Sequence, residues 1–200
     1  GYVDNQWGIK AHNRPWIRSS GSFCKGQRVL EVGGAYSTLV QQLVSEYGVV
    51  GDIADSFGAG AGENEIWSRW GAPSEWARSH PTVNYILHDV GKDERDPCLN
   101  DDEYDRVFSV STLEHIPAEE RVSVLRAMHR SVKPGGLELH TIDIPIPSPK
   151  KVLLQSITDR LHWARALFPR WRSPLSQWIL DFKRSGCVFD CPIPRSNQLL

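Results

Sequence analysis

The sequence predicts an α/β fold: a doubly wound, mostly parallel sheet with helices on both faces. Two observations carry this. Short β-rich apolar runs alternate with helical patterns along most of the chain, as a sheet covered on both sides requires. The first such run, RVLEV at Arg28–Val32, passes into Gly33-Gly34 and then into a helical pattern, the signature of a strand, tight turn and helix.

The elements follow in order. Tyr36, Leu39, Val40, Leu43, Val44 and Tyr47 recur at three- and four-residue spacing, and Gly48 supplies the stop. Residues 49–53 (VVGDI) read as the second strand, completing a βαβ unit with a right-handed crossover. Residues 56–62 (SFGAGAG) read as a flexible loop, without the Lys-Ser/Thr of a phosphate loop. Pro73 opens a short helix anchored by Trp76. Residues 83–88 form a third strand and Tyr104–Val110 a fourth. Pro117 starts a helix with Val122, Leu125, Met128 and Val132 on one face, ended by Pro134-Gly135-Gly136. Residues 137–142 form a fifth strand. Pro145, Pro147 and Pro149 keep the next stretch extended, and a helix from about Lys151 carries Leu153, Ile157, Leu161, Ala164 and Phe168. Ser173-Pro174 caps a further helix with Trp178, Ile179 and Phe182 inward, and residues 187–190 suggest a sixth strand. The chain reads as a single domain over residues 1–200, with an N-terminal extension (1–27) and a helical insertion or lid (145–186).

Composition narrows the function classes. The 200 residues carry 23 Lys+Arg against 24 Asp+Glu, a net charge of -1 that disfavours a nucleic-acid coat. The charge is uneven: residues 89–120 are acidic and residues 150–195 basic. No apolar run is long enough to span a bilayer, and none opens the chain as a signal sequence. Four scattered cysteines do not make a disulfide scaffold, so a reducing, cytoplasmic setting is expected. Cys187 and Cys191 have no second ligand pair at zinc spacing, and no metal is expected. The only methionine is Met128 and residue 1 is Gly, so the chain reads as processed, trimmed or cut from a longer parent.

Open parallel sheets bind ligands beyond the carboxyl ends of their strands. Glu31, Gly33, Gly34 and Ala35 stand at the first such end. The spacing is not G-x-G-x-x-G, and Glu31 would repel a pyrophosphate but suits a ligand with a cationic amino group. Asp52, read as ending the second strand, could accept hydrogen bonds from two ribose hydroxyls; Asp55 is the competing candidate. Asp89 ends the third strand, where an adenine edge would be expected. For Asp52 and Asp89 the bland alternative is a helix N-cap.

The pieces VLEVGGAYS, VVGDIAD, ILHDV, YDRVFSVSTLEHIP and VKPGGLELHTI, in this order, resemble the class I S-adenosylmethionine-dependent methyltransferases with their Rossmann-like fold. The resemblance covers residues 28–142, with an echo at FKRSGCVFD (182–190). It implies S-adenosyl-L-methionine as cofactor. Glu31 would lie near the methionine amino group and the Gly33–Gly34–Ala35 turn would pack on the cofactor. Asp52 would bind the ribose, Asp89 the adenine amine, and Val90 would offer a backbone N–H or an apolar wall. Ser109 and Ser111 would line the methionine end. Ala35 stands where the family has its second glycine, and the C-terminal hairpin of the family sheet has little chain left to form it.

His115 is the candidate general base, because imidazole titrates near neutral pH; a packed turn is the plainer reading of Glu114-His115. The expected activity is methyl transfer to a small-molecule or saccharide acceptor, roofed by the insertion with its Arg170-Trp171-Arg172 turn. A non-catalytic methyltransferase-like binding module is the alternative. So is a nucleic-acid methyltransferase, which only the basic C-terminal stretch and its tryptophans favour. Other partners expected from sequence are a parent chain or a second copy of this one.

Overall fold

The computed structural model describes residues 10–56, 72–92, 97–143 and 174–186. In chain order these form α1 (Lys10–Ser20), β1 (Arg28–Val32), α2 (Leu39–Tyr47), β2 (Val50–Asp55), α3 (Pro73–Ser79) and β3 (Val83–Leu87). They continue with β4 (Tyr104–Val110), a 3-10 turn (Leu113–His115), α4 (Ala118–Ser131), β5 (Val132–Thr141) and α5 (Pro174–Ser185). The strands make one sheet of order β3-β2-β1-β4-β5, and every pairing is parallel. The order reverses at β1, which lies between β2 and β4.

Side-chain alternation along the strands sorts the core onto two faces. Val29, Ile53, Phe108 and Val110 pack with Leu39 and Leu43 of α2 and Ile17 of α1. Leu30, Val32, Ala54 and Val107 pack with Leu125 and Met128 of α4 and with Trp178 and Phe182 of α5. Each fully buried Leu, Ile or Phe contributes about 1.5–3 kcal/mol relative to exposure.

Several element boundaries differ from expectation. β2 runs on past Ile53 to Asp55, because Asp52 is paired inside the sheet and does not end it. β5 begins directly after α4 at Val132, and a register shift between Tyr104 and Arg106 absorbs the Pro134-Gly135-Gly136 kink. α1 was not visible as a helix in the sequence; Pro15 lies inside it and masks the pattern. The expected helix from Lys151, the loop at 57–62, the Arg170-Trp171-Arg172 turn and the sixth strand lie outside the described residues.

Two polar networks fasten the helices. Arg121 of α4 donates to Asp181 of α5 at 2.9 Å and to the Ile116 carbonyl at 3.1 Å, and its guanidinium lies 3.8 Å over the Trp178 ring. Asp181 is 1 % exposed. On the same side, Ser109 Oγ meets His140 Nδ1 at 2.8 Å and His140 Nε2 meets Glu138 Oε1 at 2.8 Å. Glu138 Oε2 meets His129 Nδ1 of α4 at 3.2 Å, and the His140 ring packs on Phe182. Burial opposes ionisation of Glu138, but the hydrogen bonds and charges of His140 and His129 hold its carboxyl below the ordinary 4.5.

Two outcomes follow from these networks. Asp181→Ala strands the Arg121 guanidinium, and losing one partner of a buried pair costs about 3–5 kcal/mol. Thermal melts should fall by roughly 6–20 °C for a chain of this size; an unchanged melt removes the pair as the α4–α5 fastener. The depressed Glu138 contributes stability that is present above about pH 4.5, its ordinary value, and lost as pH falls through the lower folded value. Glu138→Gln should therefore melt below the parent at pH 6 to 7, with the gap closing in acid. A gap independent of pH contradicts the assignment.

Candidate active site

Strand order reverses at β1, and open parallel sheets take ligands at the carboxyl ends beside such a reversal, here those of β1, β2 and β4. Glu31 sits at the end of β1 and is 1 % exposed. The chain then turns through Gly33, whose φ is +74° and whose N–H donates to the Ala54 carbonyl at 2.8 Å. A Cβ at Gly33 would fall 2.0 Å from Thr112 Cγ2, and Thr112 Oγ1 donates back to the Gly33 carbonyl. A Cβ at Gly34 would fall 2.9 Å from Glu31 Cδ, so the turn is drawn tight over that carboxyl. Ala35 adopts φ +37°, a left-handed conformation uncommon for a residue with a Cβ. Its N–H donates to Asp55 Oδ2 at 2.8 Å. The acid at the end of β2 is thus tied to the turn after β1.

Asp52 is elsewhere. The sequence places it at the strand end; in the sheet it pairs with Leu30, three residues before β2 finishes. Its Oδ2 accepts from Arg28 Nη2 at 2.9 Å, Arg28 Nε at 3.2 Å and Tyr104 Oη at 2.8 Å. Burial pushes the Tyr104 phenol up, and its hydrogen bond to Asp52 adds to the shift. Glu103 joins through Arg28, and Asp105 holds the Arg28 N–H at 2.7 Å and Lys133 Nζ at 2.9 Å. This cluster closes the amino-terminal side of the sheet.

The remaining predicted residues divide. Asp89 is exposed in the turn after β3, where its carbonyl accepts the Lys92 N–H. The Val90 side chain is buried in the core beneath α4. Ser109 is fully buried with its hydroxyl on His140. Ser111, after β4, has φ +49° and accepts a hydrogen bond from Asn13 Nδ2 at 2.8 Å. His115 is exposed at the end of the 3-10 turn. The structure therefore gathers Glu31, Gly33, Gly34, Ala35, Ser111 and His115 at the carboxyl side. Asp52 and the side chains of Val90 and Ser109 have other partners.

Sequence reasoning missed Asn13 and Asp143 as parts of this end, and gave Thr112 and Glu114 no role of their own. Asn13 Nδ2 also donates to Asp143 Oδ1 at 2.9 Å, so α1 ties the ends of β4 and β5. The Asp143 N–H donates to Glu114 Oε1 at 3.2 Å. Asp143 follows the fifth strand, and that position was its available signal; Asn13 had none. Beside β3, Tyr36 packs edge-on against Trp76 at 5.3 Å, and Trp76 Nε1 donates to Tyr85 Oη at 2.8 Å. Burial raises the Tyr85 phenol to about 12. Among the described residues, no cluster of three or more His, Cys, Asp or Glu could hold a metal ion, and no helix is long and apolar enough to cross a membrane.

The donor set fits S-adenosylmethionine. A buried carboxylate at the end of β1 and a second at the end of β2 supply acceptors for an ammonium and for ribose hydroxyls. Between them, Thr112 and Glu31 fill the space that side chains at Gly33 and Gly34 would need, so the turn can only be made of glycine there.

Gly33 gives a direct test of the turn. Gly135 has a similar φ of +79° but open space around it. Gly135→Ala should cost about 1–2 kcal/mol from backbone strain alone. Gly33→Ala should cost about 1–3 kcal/mol more from overpacking against Thr112. Thr112→Ala in the Gly33→Ala background should recover part of that difference in denaturant melts. Equal costs at the two glycines contradict the packing.

Comparison with known proteins agrees with the fold. Residues 71–136, about a third of the chain, match the family model for a methyltransferase domain. No curated protein sequence matches significantly. Among solved structures, the Galdieria sulphuraria protein described as a sarcosine dimethylglycine methyltransferase aligns at 19% identity with a TM-score of 0.52. That alignment covers 76% of this chain and 53% of the other, so the chain spans about half the length of that protein. Haemonchus contortus phosphoethanolamine N-methyltransferase 2, solved with S-adenosyl-L-methionine, aligns at 20% identity and TM-score 0.57 over 88% of this chain and 36% of its own. The Haloferax volcanii protein solved with the Trm112 methyltransferase activator aligns at 15% identity and TM-score 0.57, covering 96% and 80%. By fold the chain is similar to the class I, Rossmann-like methyltransferases, and residues 71–136 match the methyltransferase-domain model.

Proposed function

We propose that the chain binds S-adenosylmethionine at the carboxyl ends of β1 and β2 and methylates a small-molecule or saccharide acceptor approaching over β4 and β5. The observation that carries this is the Ala35–Asp55 tie, which sets an acid beside a left-handed turn at the switch point.

In this reading Glu31 accepts the cofactor's ammonium, the Gly33–Ala35 turn passes along its chain, and Asp55 takes the ribose hydroxyls in place of Asp52. Asp89 reaches the adenine amine, with the Val90 backbone beside it. The cofactor supplies an electrophilic methyl on a sulfonium. The protein's work is to position the acceptor and accept its proton, which effective-molarity arguments make the larger part of the rate. His115, exposed on the turn after β4, serves as the base, and the neighbouring Glu114 is steadied by the Asp143 N–H. The net charge of -1, and the carboxylates Glu114 and Asp143 beside the acceptor path, favour a small acceptor over nucleic acid.

Calorimetric titration with S-adenosylhomocysteine separates the two acids. Losing a hydrogen bond to a charged group costs about 1.5–3 kcal/mol, so Asp55→Ala should weaken binding at least about tenfold. Asp52→Asn should lower the melting temperature and leave affinity unchanged. The reverse pattern returns the ribose role to Asp52. His115→Ala should cut turnover about 10²–10⁴-fold with cofactor affinity intact; a few-fold loss, with Glu114→Gln the more damaging change, moves the base to Glu114.

A further inference from the structure

A second cavity adjoins the acceptor end. It has a volume of about 390 Å³ and lies between α1 and the end of β5, lined by His12, Asn13, Trp16, His140, Thr141 and Ile142. Trp16 is 45% exposed, unusual for so large an apolar side chain. Thr141 Oγ1, in the lining, is buried without a hydrogen-bond partner, and so is Glu114 Oε2. Buried polar atoms left without partners cost free energy that a ligand could recover. Asn13 joins this lining to the carboxyl end of the sheet through Ser111 and Asp143. Both ring nitrogens of His140 are already engaged, by Ser109 and Glu138.

We infer that this cleft is the acceptor subsite and that it takes a neutral, polyhydroxylated ring, a saccharide. An exposed indole gives the apolar face of a sugar ring a platform. Within the lining, the Asn13 amide oxygen and the Thr141 hydroxyl can pair with its hydroxyls, and Thr141 Oγ1 has no partner of its own. The carboxylate of Asp143, held by Asn13 of the lining, opposes a phosphorylated acceptor. The lining holds one Trp and no Tyr or Phe, so an amine held in a cage of such rings is not what it fits. The inference rests on the methyltransferase reading for its role in catalysis; the binding itself stands on the cleft.

The test is saturation-transfer NMR and calorimetry with methyl α-D-glucopyranoside and methyl α-D-mannopyranoside, each with and without S-adenosylhomocysteine. Glucose 6-phosphate and ethanolamine serve as comparators. At least one neutral glycoside should bind saturably, and neither comparator should bind as well. Trp16→Ala, at a half-exposed site, should weaken the glycoside about fivefold. Thr141→Val, which keeps the shape and removes the hydroxyl, should weaken it about threefold or more. Both variants should bind S-adenosylhomocysteine as the parent does. Absence of glycoside binding, survival of binding in both variants, or tighter binding of either comparator overturns the inference. Failure of S-adenosylhomocysteine to bind the parent overturns the methyltransferase reading instead, and the glycoside titration without it still decides the subsite.

Discussion

The site depends on the reversal of strand order at β1. Because β2 and β4 flank β1 and all three run parallel, the connections leaving β1 and β4 go to opposite faces and part at the carboxyl ends. The backbone there has no further strand to pair with, and its polar groups need other partners. The chain meets that need with tight local ties: Gly33 N–H on Ala54, Thr112 on the Gly33 carbonyl, Ala35 N–H on Asp55. Each tie also fixes a residue that faces the crevice.

The two ends of the sheet are chemically unlike, and that difference directs the ligand. At the amino side, Asp52, Glu103 and Asp105 are engaged by Arg28, Tyr104 and Lys133. Acids and bases are matched there, as buried charge requires. At the carboxyl side, Asp55 accepts the Ala35 N–H, Glu114 the Asp143 N–H and Asp143 the Asn13 amide, with Glu31 buried under the turn. A set rich in acceptors suits a cationic, hydroxyl-bearing ligand and disfavours phosphate.

Much of this was legible in the sequence. Strand and helix alternation gave the sheet, since apolar runs such as RVLEV are buried on both faces whatever their neighbours. The turn Gly33–Ala35 was legible because left-handed φ restricts residue choice. Asp52 was misplaced because a buried, ion-paired acid inside a strand looks in sequence like a strand end; only Arg28 and Tyr104, 24 and 52 residues away, reveal its role. Val90 and Ser109 adjoin the strand ends along the chain, but Val90 packs in the core with Val124 and Leu125 of α4 and Ser109 is buried on His140. Asn13 escaped notice for two reasons. Pro15 hides the helix, and the contacts of Asn13 span 98 and 130 residues, which no local pattern records.

The central claim, that the ligand sits at the carboxyl side of β1 and β2, is tested most directly by amide chemical-shift mapping during addition of S-adenosylhomocysteine. The account predicts the largest shifts at Gly33, Gly34, Ala35 and Asp55, with Arg28 and the Asp101–Asp102 and Gly135–Gly136 turns at the opposite end unmoved. Shifts concentrated around Arg28, Tyr104 and Gly135, or no saturable shifts at all, would contradict it.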